Sequence, residues 1–335
     1  MAAALPGAVA RADARQARRR PMIDTLSISG PDFDAARMLA AGMTGLVLDL
    51  PIYPRTRQAA LDALTRWAAA FAAPDTRFQL VRHGADFEAA SATRRLAVVL
   101  ACQDASILDA PSRSVGDVNL VNLRVFHALG LRILQLAHND RNGVGDSYQE
   151  PNDAGLSRLG RDVVAEMNEL GMVVNLSHCS GGTLRKAVRL SSKPCMVTHS
   201  GCRALYPTLR NKADAEIRAL AEKGGFFGVY SMTLWLSDEP TASVDQVVRH
   251  IDHAVKVAGV EHVGFASDGP PLGVGSMENE LAGMQAYARR TLGGPGSERV
   301  PTHIRPRELN GPDRVAVLGE ALRKKGYSAT DVDRI

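Results

Sequence analysis

The sequence is poor in the features that mark disulfide-stabilised, membrane-spanning or nucleic-acid-binding proteins. Aromatic residues make up 5% of the 335 residues, and the four cysteines include no C-x-x-C pair. No apolar run reaches the roughly 18 residues that a membrane-spanning helix needs. We therefore predict no membrane span, and we interpret the cysteines as small buried residues rather than as a metal or redox motif.

An excess of positive charge is also missing from the body of the chain. The formal net charge is +4, but residues 1–20 hold five arginines and one aspartate, which leaves 35 basic and 35 acidic residues. Nucleic-acid surfaces need clustered Lys and Arg, so we predict no nucleic-acid partner. Residues 1–20 are interpreted as a basic, disordered leader or as the remnant of a trimmed signal. The first alternative predicts a cytoplasmic protein and the second a periplasmic one.

What the sequence does contain is a regular alternation of apolar runs and amphipathic segments. Eight apolar runs are predicted as buried parallel strands, at residues 22–28, 45–50, 96–102, 132–136, 172–176, 195–198, 226–230 and 262–266. A ninth run, at residues 78–82, is predicted as a peripheral strand. Helical periodicity fills the intervals. Eight strand–helix units favour a closed (β/α)₈ TIM barrel over an open doubly wound sheet. We predict one α/β domain over residues 21–335.

Two histidines end consecutive predicted strands. His178 follows the run VVNLS and His199 follows CMVT. The carboxyl ends of parallel strands form the ligand-binding face of a barrel, and neutral imidazole is a common zinc ligand. Asp268 also ends a strand, where a carboxylate can take a proton from a metal-bound water or can cap the next helix. These residues by themselves leave the structural and the metal-binding interpretations open.

Several ordered motifs carry a resemblance to a known family. They are the LSH and THS strand ends, LQLAHN at residues 134–139, ALYPTLRNKAD at residues 204–214 and VGFASD at residues 263–268. Together they resemble the membrane (renal-type) dipeptidase family of metallopeptidases over residues 22–330. The segments EPNDAGLS at residues 150–157 and PRELN at residues 306–310 resemble a bacterial branch of that family.

The resemblance implies a metal-dependent hydrolase on a (β/α)₈ barrel, with two zinc ions that help to cleave the amide bond of dipeptides. It also implies a role for each matching residue. These are metal binding for His178 and His199, catalysis for Asp268 and His138, and substrate binding for Arg210, Tyr230 and again His138.

The chain departs from the family pattern where the first metal would bind. Leu26 and Ile28 stand in place of the family's H-x-D pair, and Gln103 replaces its bridging glutamate. Leucine and isoleucine cannot coordinate a cation, and a neutral amide is a weak ligand. The expected metal ligands are therefore His178 and His199, with a weak contribution from Gln103, and they hold one zinc ion at most or none. The carboxylates that could replace the lost ligands are those of Asp24, Asp49 and Asp104.

Three hypotheses remain open at this point. The first is a dipeptidase-like hydrolase with an incomplete metal site, acting on a dipeptide or a similar small carboxylate-bearing molecule. The second is an inactive homologue, a pseudoenzyme, that binds an amino-acid-like ligand. The third is different chemistry on a small metabolite. A homodimer is left open, and the resemblance implies a further segment after residue 335, so the C-terminus is expected to be truncated or naturally short.

Overall fold

The computed structural model of the protein describes residues 22–51, 55–109, 118–291 and 302–335. The predicted leader lies outside these residues. The strands are β1 Ile23–Ile28, β2 Gly45–Asp49, β3 Phe78–Leu80, β4 Leu96–Cys102, β5 Leu131–Gln135, β6 Val173–Asn175, β7 Met196–Ser200, β8 Phe226–Tyr230 and β9 Val263–Ala266.

Helices follow most of these strands and cover the outside of the sheet. They are α1 Ala35–Ala40, α2 Arg57–Ala72, α3 Ala85–Ala92, α4 Val118–Ala128, α5 Arg158–Leu170, α6 Gly181–Leu190, α7 Asp214–Glu222, α8 Val244–Ala258, α9 Met277–Thr291, α10 Arg314–Lys325 and α11 Ala329–Val332. None of the helices in the described ranges is long and apolar enough to cross a membrane.

The strands form a parallel sheet in the order β1-β2-β4-β5-β6-β7-β8-β9, and β3 pairs with β4 alone, off this path. This order confirms the predicted (β/α)₈ barrel and its peripheral strand. β4 has the predicted bounds, whereas β6 is shorter than predicted at both ends. The segment between β9 and α10 contains α9, and its residues 292–301 lie outside the described ranges.

The barrel is joined between its first and last strands by hydrogen bonds. The backbone N–H of Ile28 donates to the carbonyl of Gly269 at 3.0 Å, and that of Asp268 donates to the carbonyl of Leu26 at 2.9 Å. The buried carboxylate of Asp24 accepts from the backbone N–H of Ser267 at 2.8 Å and forms an ion pair with Arg314 at 3.4 Å. These contacts join β1 to β9 and so close the barrel. They also fix the residues that follow β9 at the barrel mouth.

Side chains alternate between the inside and the outside of the barrel. Leu26, Val47 and Ala101 belong to a small apolar cluster within it, while a larger core fills the space between strands and helices. Residues two apart on a strand share a face. Asp49 and Gln103, two residues after Val47 and Ala101, therefore also face the interior, at the carboxyl end of the strands.

The first prediction concerns the ion pair between β1 and α10. Asp24 and Arg314 are 0% and 1% exposed, so the Asp24→Asn variant leaves a buried guanidinium without its counter-charge. We expect the free energy of unfolding in urea to fall by about 3–5 kcal/mol. As a control, Asp32→Asn removes an ion pair with Arg66 whose side chains are 74% and 58% exposed, and it should cost less than about 1 kcal/mol. Equal effects of the two variants would contradict a structural role for Asp24.

Candidate active site

The two histidines at the strand ends meet at the barrel mouth. His178 lies just after β6 and His199 lies within β7, and their Nε2 atoms are 2.9 Å apart. Both rings are buried. The N-cap Ser180 starts α6 two residues after His178, with its side chain accepting from the N–H of Thr183. The strand end before His178 and this cap after it position the ring.

Hydrogen bonds at the outer ring nitrogens orient the pair. His178 Nδ1 lies 2.9 Å from Asn139 Oδ1, which can only accept, so His178 carries its proton on Nδ1 and a lone pair on Nε2. His199 Nδ1 lies 2.8 Å from the hydroxyl of Thr198. When the hydroxyl donates to this nitrogen, His199 Nε2–H shares the lone pair of His178 Nε2 with Arg210, whose Nη2 lies 3.1 Å away. Rotation of the Thr198 hydroxyl toward Ser177, 2.9 Å away, lets His199 take the other tautomer and present its own lone pair.

The surroundings keep these imidazoles neutral. Burial holds the pKa of His178 and of His199 well below the ordinary value, and the nearby charge of Arg210 lowers both further. Burial also lowers the pKa of His138, with contributions from Arg55 and Arg210. A neutral ring retains the lone pair that a metal ion or a substrate N–H requires.

Arg210 reaches the mouth from the segment after β7 and is only 2% exposed. Its Nη1 donates to the carbonyl of Ser177 at 3.0 Å, and its Nη2 lies 3.2 Å from the carbonyl of His199 and 3.1 Å from His178 Nε2. Its guanidinium carbon lies 5.1 Å from the ring centre of Tyr230. Both terminal nitrogens therefore donate to protein acceptors, and one of them occupies the lone pair of a predicted metal ligand.

His138 and Tyr230 line the same space. The ring of His138 stacks on that of His178 with centroids 4.0 Å apart, and it is only partly buried. The hydroxyl of Tyr230 donates to Asn211 Oδ1 at 2.8 Å, which fixes the ring beneath Arg210. The structure thus brings both residues to the histidine pair, and their substrate contacts stay a prediction.

Asp268 follows β9 and has a backbone φ of 50°, in the left-handed region that aspartate tolerates better than most residues. No helix of the described chain begins there, so the helix-cap interpretation is not supported. Its main-chain N–H and carbonyl bond to Leu26 and Arg305, while no described residue hydrogen-bonds its carboxylate. Burial raises the pKa of Asp268, and the charges of Arg210 and Arg305 act in the opposite direction. The carboxylate is available to a bound molecule.

The opposite wall contains Leu26, Ile28, Gln103 and Asp49. Gln103 Nε2 donates to Asp49 Oδ2 at 3.0 Å, whereas Asp49 Oδ1 and Gln103 Oε1 are buried and have no hydrogen-bond partner among the described residues. Burial raises the pKa of Asp49 to about 7, and the charge of Asp268 adds to this while Arg55 and the Gln103 hydrogen bond oppose it.

The other two candidate replacement ligands are engaged elsewhere. Asp24 closes the barrel, and Asp104 accepts from the N–H of Ser106 at 2.8 Å and from Asn142 Nδ2 at 2.6 Å. Of the three carboxylates, Asp49 is the one with a fully buried oxygen that no described residue hydrogen-bonds.

The donor set fits one ion better than two. Two nitrogens 2.9 Å apart subtend roughly 90° at an ion bound about 2.0–2.1 Å from each. The residues that the structure describes contain no group of three or more His, Cys, Asp and Glu side chains arranged to hold a metal. The family's two-ion centre does not fit them, whereas a single ion at His178 and His199 fits once the guanidinium of Arg210 leaves His178 Nε2.

Sequence reasoning missed several residues of the site. Asn139 orients His178, and it directly follows His138 in the LAHN motif, so that motif was the available signal. Arg55 affects His138 and Asp49 from a loop with no recognisable pattern. Lys212, in the LRNKAD motif, is buried and donates to the carbonyl of Cys179 at 2.7 Å, and burial lowers its pKa to about 7.

Comparisons with known proteins identify the family of this chain. The model of the membrane dipeptidase family (peptidase family M19) matches residues 18–291. Dipeptidase tcpJ of Claviceps purpurea is 39% identical over 163 residues, which are 47% of this chain and 38% of that protein. Dipeptidase aclJ of Aspergillus oryzae is 38% identical over 150 residues, which are 44% of this chain and 36% of that protein. The matched stretch therefore spans well under half the length of these curated relatives.

Solved structures show the same fold over the whole barrel. An amidohydrolase from Pseudomonas aeruginosa superposes with a TM-score of 0.80 at 23% identity, covering 96% of this chain and 94% of that one. A metallo peptidase from Rhodobacter sphaeroides, liganded with a phosphinate mimic of the dipeptide L-Ala-D-Ala, superposes with a TM-score of 0.71 at 21% identity, covering 95% and 96%.

The second prediction follows from the unpaired carboxylate on the apolar wall. The pKa of Asp49 is about 7 in the folded protein, against an ordinary value of 3.8, so the folded state binds the proton more tightly than the unfolded state does. Near pH 4 and below, Asp49 is largely protonated in the folded protein, and burying the neutral group costs little. As pH rises from about 4 to about 7, the unfolded state loses this proton first, so the free energy of unfolding falls. We expect Asp49→Asn to raise the free energy of unfolding at pH 8 by up to about 4 kcal/mol, with a much smaller gain near pH 4.

Urea unfolding curves of both proteins at several pH values measure this difference. The charged groups that face Asp49 are Asp268 and Arg55, and the substitution leaves both in place. A stability difference that does not change with pH would contradict the prediction.

Proposed function

The chain belongs to the membrane dipeptidase family, and from this premise we propose that it is a dipeptidase-like hydrolase. The proposed substrate is a dipeptide or a similar small molecule that carries a carboxylate, and the bond cleaved is its amide. The observation that supports this best is the convergence of His138 and Arg210 on the paired Nε2 atoms of His178 and His199, with the Asp268 carboxylate near enough for Arg210 to affect its pKa.

A single zinc ion is the proposed cofactor, and His178 and His199 would hold it. When bound, such an ion polarises a carbonyl and lowers the pKa of water toward 7. Asn139 supports this assignment, because its bond to His178 Nδ1 directs the lone pair of Nε2 into the mouth. The role of Gln103 as a weak additional ligand stays a prediction, since its amide nitrogen is turned toward Asp49.

The side chains of the mouth have separable proposed roles. No described residue hydrogen-bonds the carboxylate of Asp268, and Arg210 is close enough to affect its pKa. This carboxylate would take the proton of the attacking water and deliver it to the leaving amine. Partly buried His138 would donate to the reacting carbonyl oxygen. Arg210 would pair with the substrate carboxylate above the ring of Tyr230, after releasing one of its protein acceptors.

A binding-only role is the second candidate, and one observation favours it. Arg210 Nη2 lies 3.1 Å from His178 Nε2, so a fixed cation already satisfies the lone pair that a metal would use. If Arg210 stays there, the mouth holds an amino-acid-like ligand by charge and does not cleave it. The two candidates differ in whether Arg210 moves.

The third prediction tests hydrolysis directly. Zinc-supplemented protein should release alanine from L-Ala-D-Ala, measured by chromatography. Asp268→Asn should lower kcat by about 10²-fold or more with a smaller change in KM, because the variant keeps the shape but cannot accept the proton. Asp140→Asn, an exposed carboxylate beside His138, is the matched control and should retain turnover.

A wild-type protein that is thermally stabilised by dipeptides, yet returns them intact after long incubation with zinc, would remove the hydrolase and support the binding-only role.

The fourth prediction concerns the two competing roles of Arg210. Arg210→Met keeps the length of the side chain and removes its charge. We expect the affinity for a dipeptide carboxylate to fall by about 2 kcal/mol or more, as for the loss of one partner of a desolvated charge pair. We expect zinc affinity to rise by about tenfold, because His178 Nε2 loses a charged donor.

Both affinities are measurable by isothermal titration calorimetry. Arg218→Met, on the exposed face of α7, is the control and should change neither. Unchanged values in Arg210→Met would contradict both roles and leave Arg210 as a structural residue.

A further inference from the structure

The wall formed by β2 and β4 contains two buried oxygen atoms to which no described residue donates. They are Asp49 Oδ1 and Gln103 Oε1, and each residue is 3% exposed. The two side chains are held together by the 3.0 Å bond from Gln103 Nε2 to Asp49 Oδ2. A buried polar atom without a hydrogen-bond partner lowers the stability of the folded protein by about 1–3 kcal/mol or more. Two such atoms in adjacent side chains therefore require an explanation.

Both side chains face the interior of the barrel at its mouth. Asp49 is the last residue of β2 and pairs in register with Ala101, two residues before Gln103. Val47 and Ala101 belong to the inner apolar cluster, and the two-residue repeat of a strand places Asp49 and Gln103 on the same face. The unpaired oxygens therefore lie on the same side of the sheet as the histidine pair.

The chemistry of the missing partner can be read from these atoms. Both are acceptors, one is a carboxylate oxygen, and the neighbouring apolar side chains of Leu26 and Ile28 offer no donor. The partner must bring at least two N–H or O–H groups, and the charge of Asp49 favours a cation. A primary ammonium group has three N–H donors on one small atom, whereas a guanidinium would need a wider, planar site.

The opposite side of the mouth has the complementary charge. Arg210, the proposed carboxylate partner, is buried at the histidine pair, where its guanidinium lies 3.1 Å from His178 Nε2. A mouth with an anion-binding end and a cation-binding end matches a zwitterion. A dipeptide with free termini is such a molecule.

We propose that Asp49 and Gln103 form the subsite for the protonated α-amino group of the substrate, accepting two of its N–H groups at Asp49 Oδ1 and Gln103 Oε1. This inference rests on the proposed function. It makes a free amino terminus a specificity requirement and assigns the wall that lost its metal ligands to the recognition of an organic cation.

The test uses a dipeptide analogue that cannot be cleaved. The probe is L-Ala-D-Ala with its amide replaced by a ketomethylene group, compared with the same molecule acetylated at its amino group. Isothermal titration calorimetry at pH 7.5 should show wild-type protein binding the free amine at least about tenfold more tightly. Asp49→Asn should reduce this preference to about twofold or less, since the side chain keeps its size and loses its charge.

Two further variants separate the subsite from general effects. Gln103→Met keeps Asp49 and removes one acceptor, and it should also reduce the preference. Asp140→Asn removes an exposed carboxylate near the mouth and should leave the preference intact. Circular dichroism confirms that each variant is folded.

Failure of the proposed function and failure of the amino-group subsite give different results in this experiment. If wild-type protein binds neither analogue, the proposed function fails and the subsite with it. If it binds both analogues equally, or if the preference persists in Asp49→Asn, the subsite is overturned while the proposed function stands.

Discussion

The architecture depends on the contact that closes the barrel between its first and last strands. Asp24 lies inside β1, accepts from the N–H of Ser267 after β9, and pairs with Arg314 at the start of α10. Closure joins the end of β9 to the end of β1, so Asp268 lies beside Leu26 as well as on the β9 side of the histidine strands.

Two buried aspartates of the barrel, Asp24 and Asp49, differ in whether the protein supplies hydrogen-bond partners for both of their carboxylate oxygens. Asp24 has partners for both oxygens and lies in a position where its charge stabilises the fold. Asp49 is also buried, yet no residue in the described ranges hydrogen-bonds its Oδ1, and burial raises its pKa to about 7. Carboxyl groups that are held at a cost in the folded state are common at functional sites, because a ligand supplies the missing interaction. From this contrast we infer that the β2–β4 wall contributes a ligand contact, whereas Asp24 serves the fold.

The sequence was sufficient for the fold because the barrel is specified locally. Each strand is a short apolar run and each helix has its own period, so β4 at Leu96–Cys102 is evident without any knowledge of its neighbours. The contacts that refine the site are not local. Asp24 and Arg314 are 290 residues apart, and no spacing in the sequence joins them.

The directions of the side chains could not be predicted from the sequence either. The sequence marked Arg210 as a residue for the substrate, but its donation to His178 Nε2 depends on the rotamer that the buried mouth allows. The sequence also presented Asp24, Asp49 and Asp104 as equivalent replacements for the lost ligands. Only the packing separates them. Both oxygens of Asp24 have partners, Oδ1 of Asp104 accepts two hydrogen bonds, and Asp49 has a fully buried oxygen that no described residue hydrogen-bonds.

The central claim is that the mouth holds one metal position, at His178 and His199, and that the opposite wall holds none. Anomalous X-ray scattering at the zinc edge, from crystals grown with excess zinc, measures this directly. We expect a single strong peak between the two Nε2 atoms and no peak beside Leu26, Ile28 and Asp49. A second peak on that wall, within bonding distance of Asp49 and Gln103, would contradict the claim.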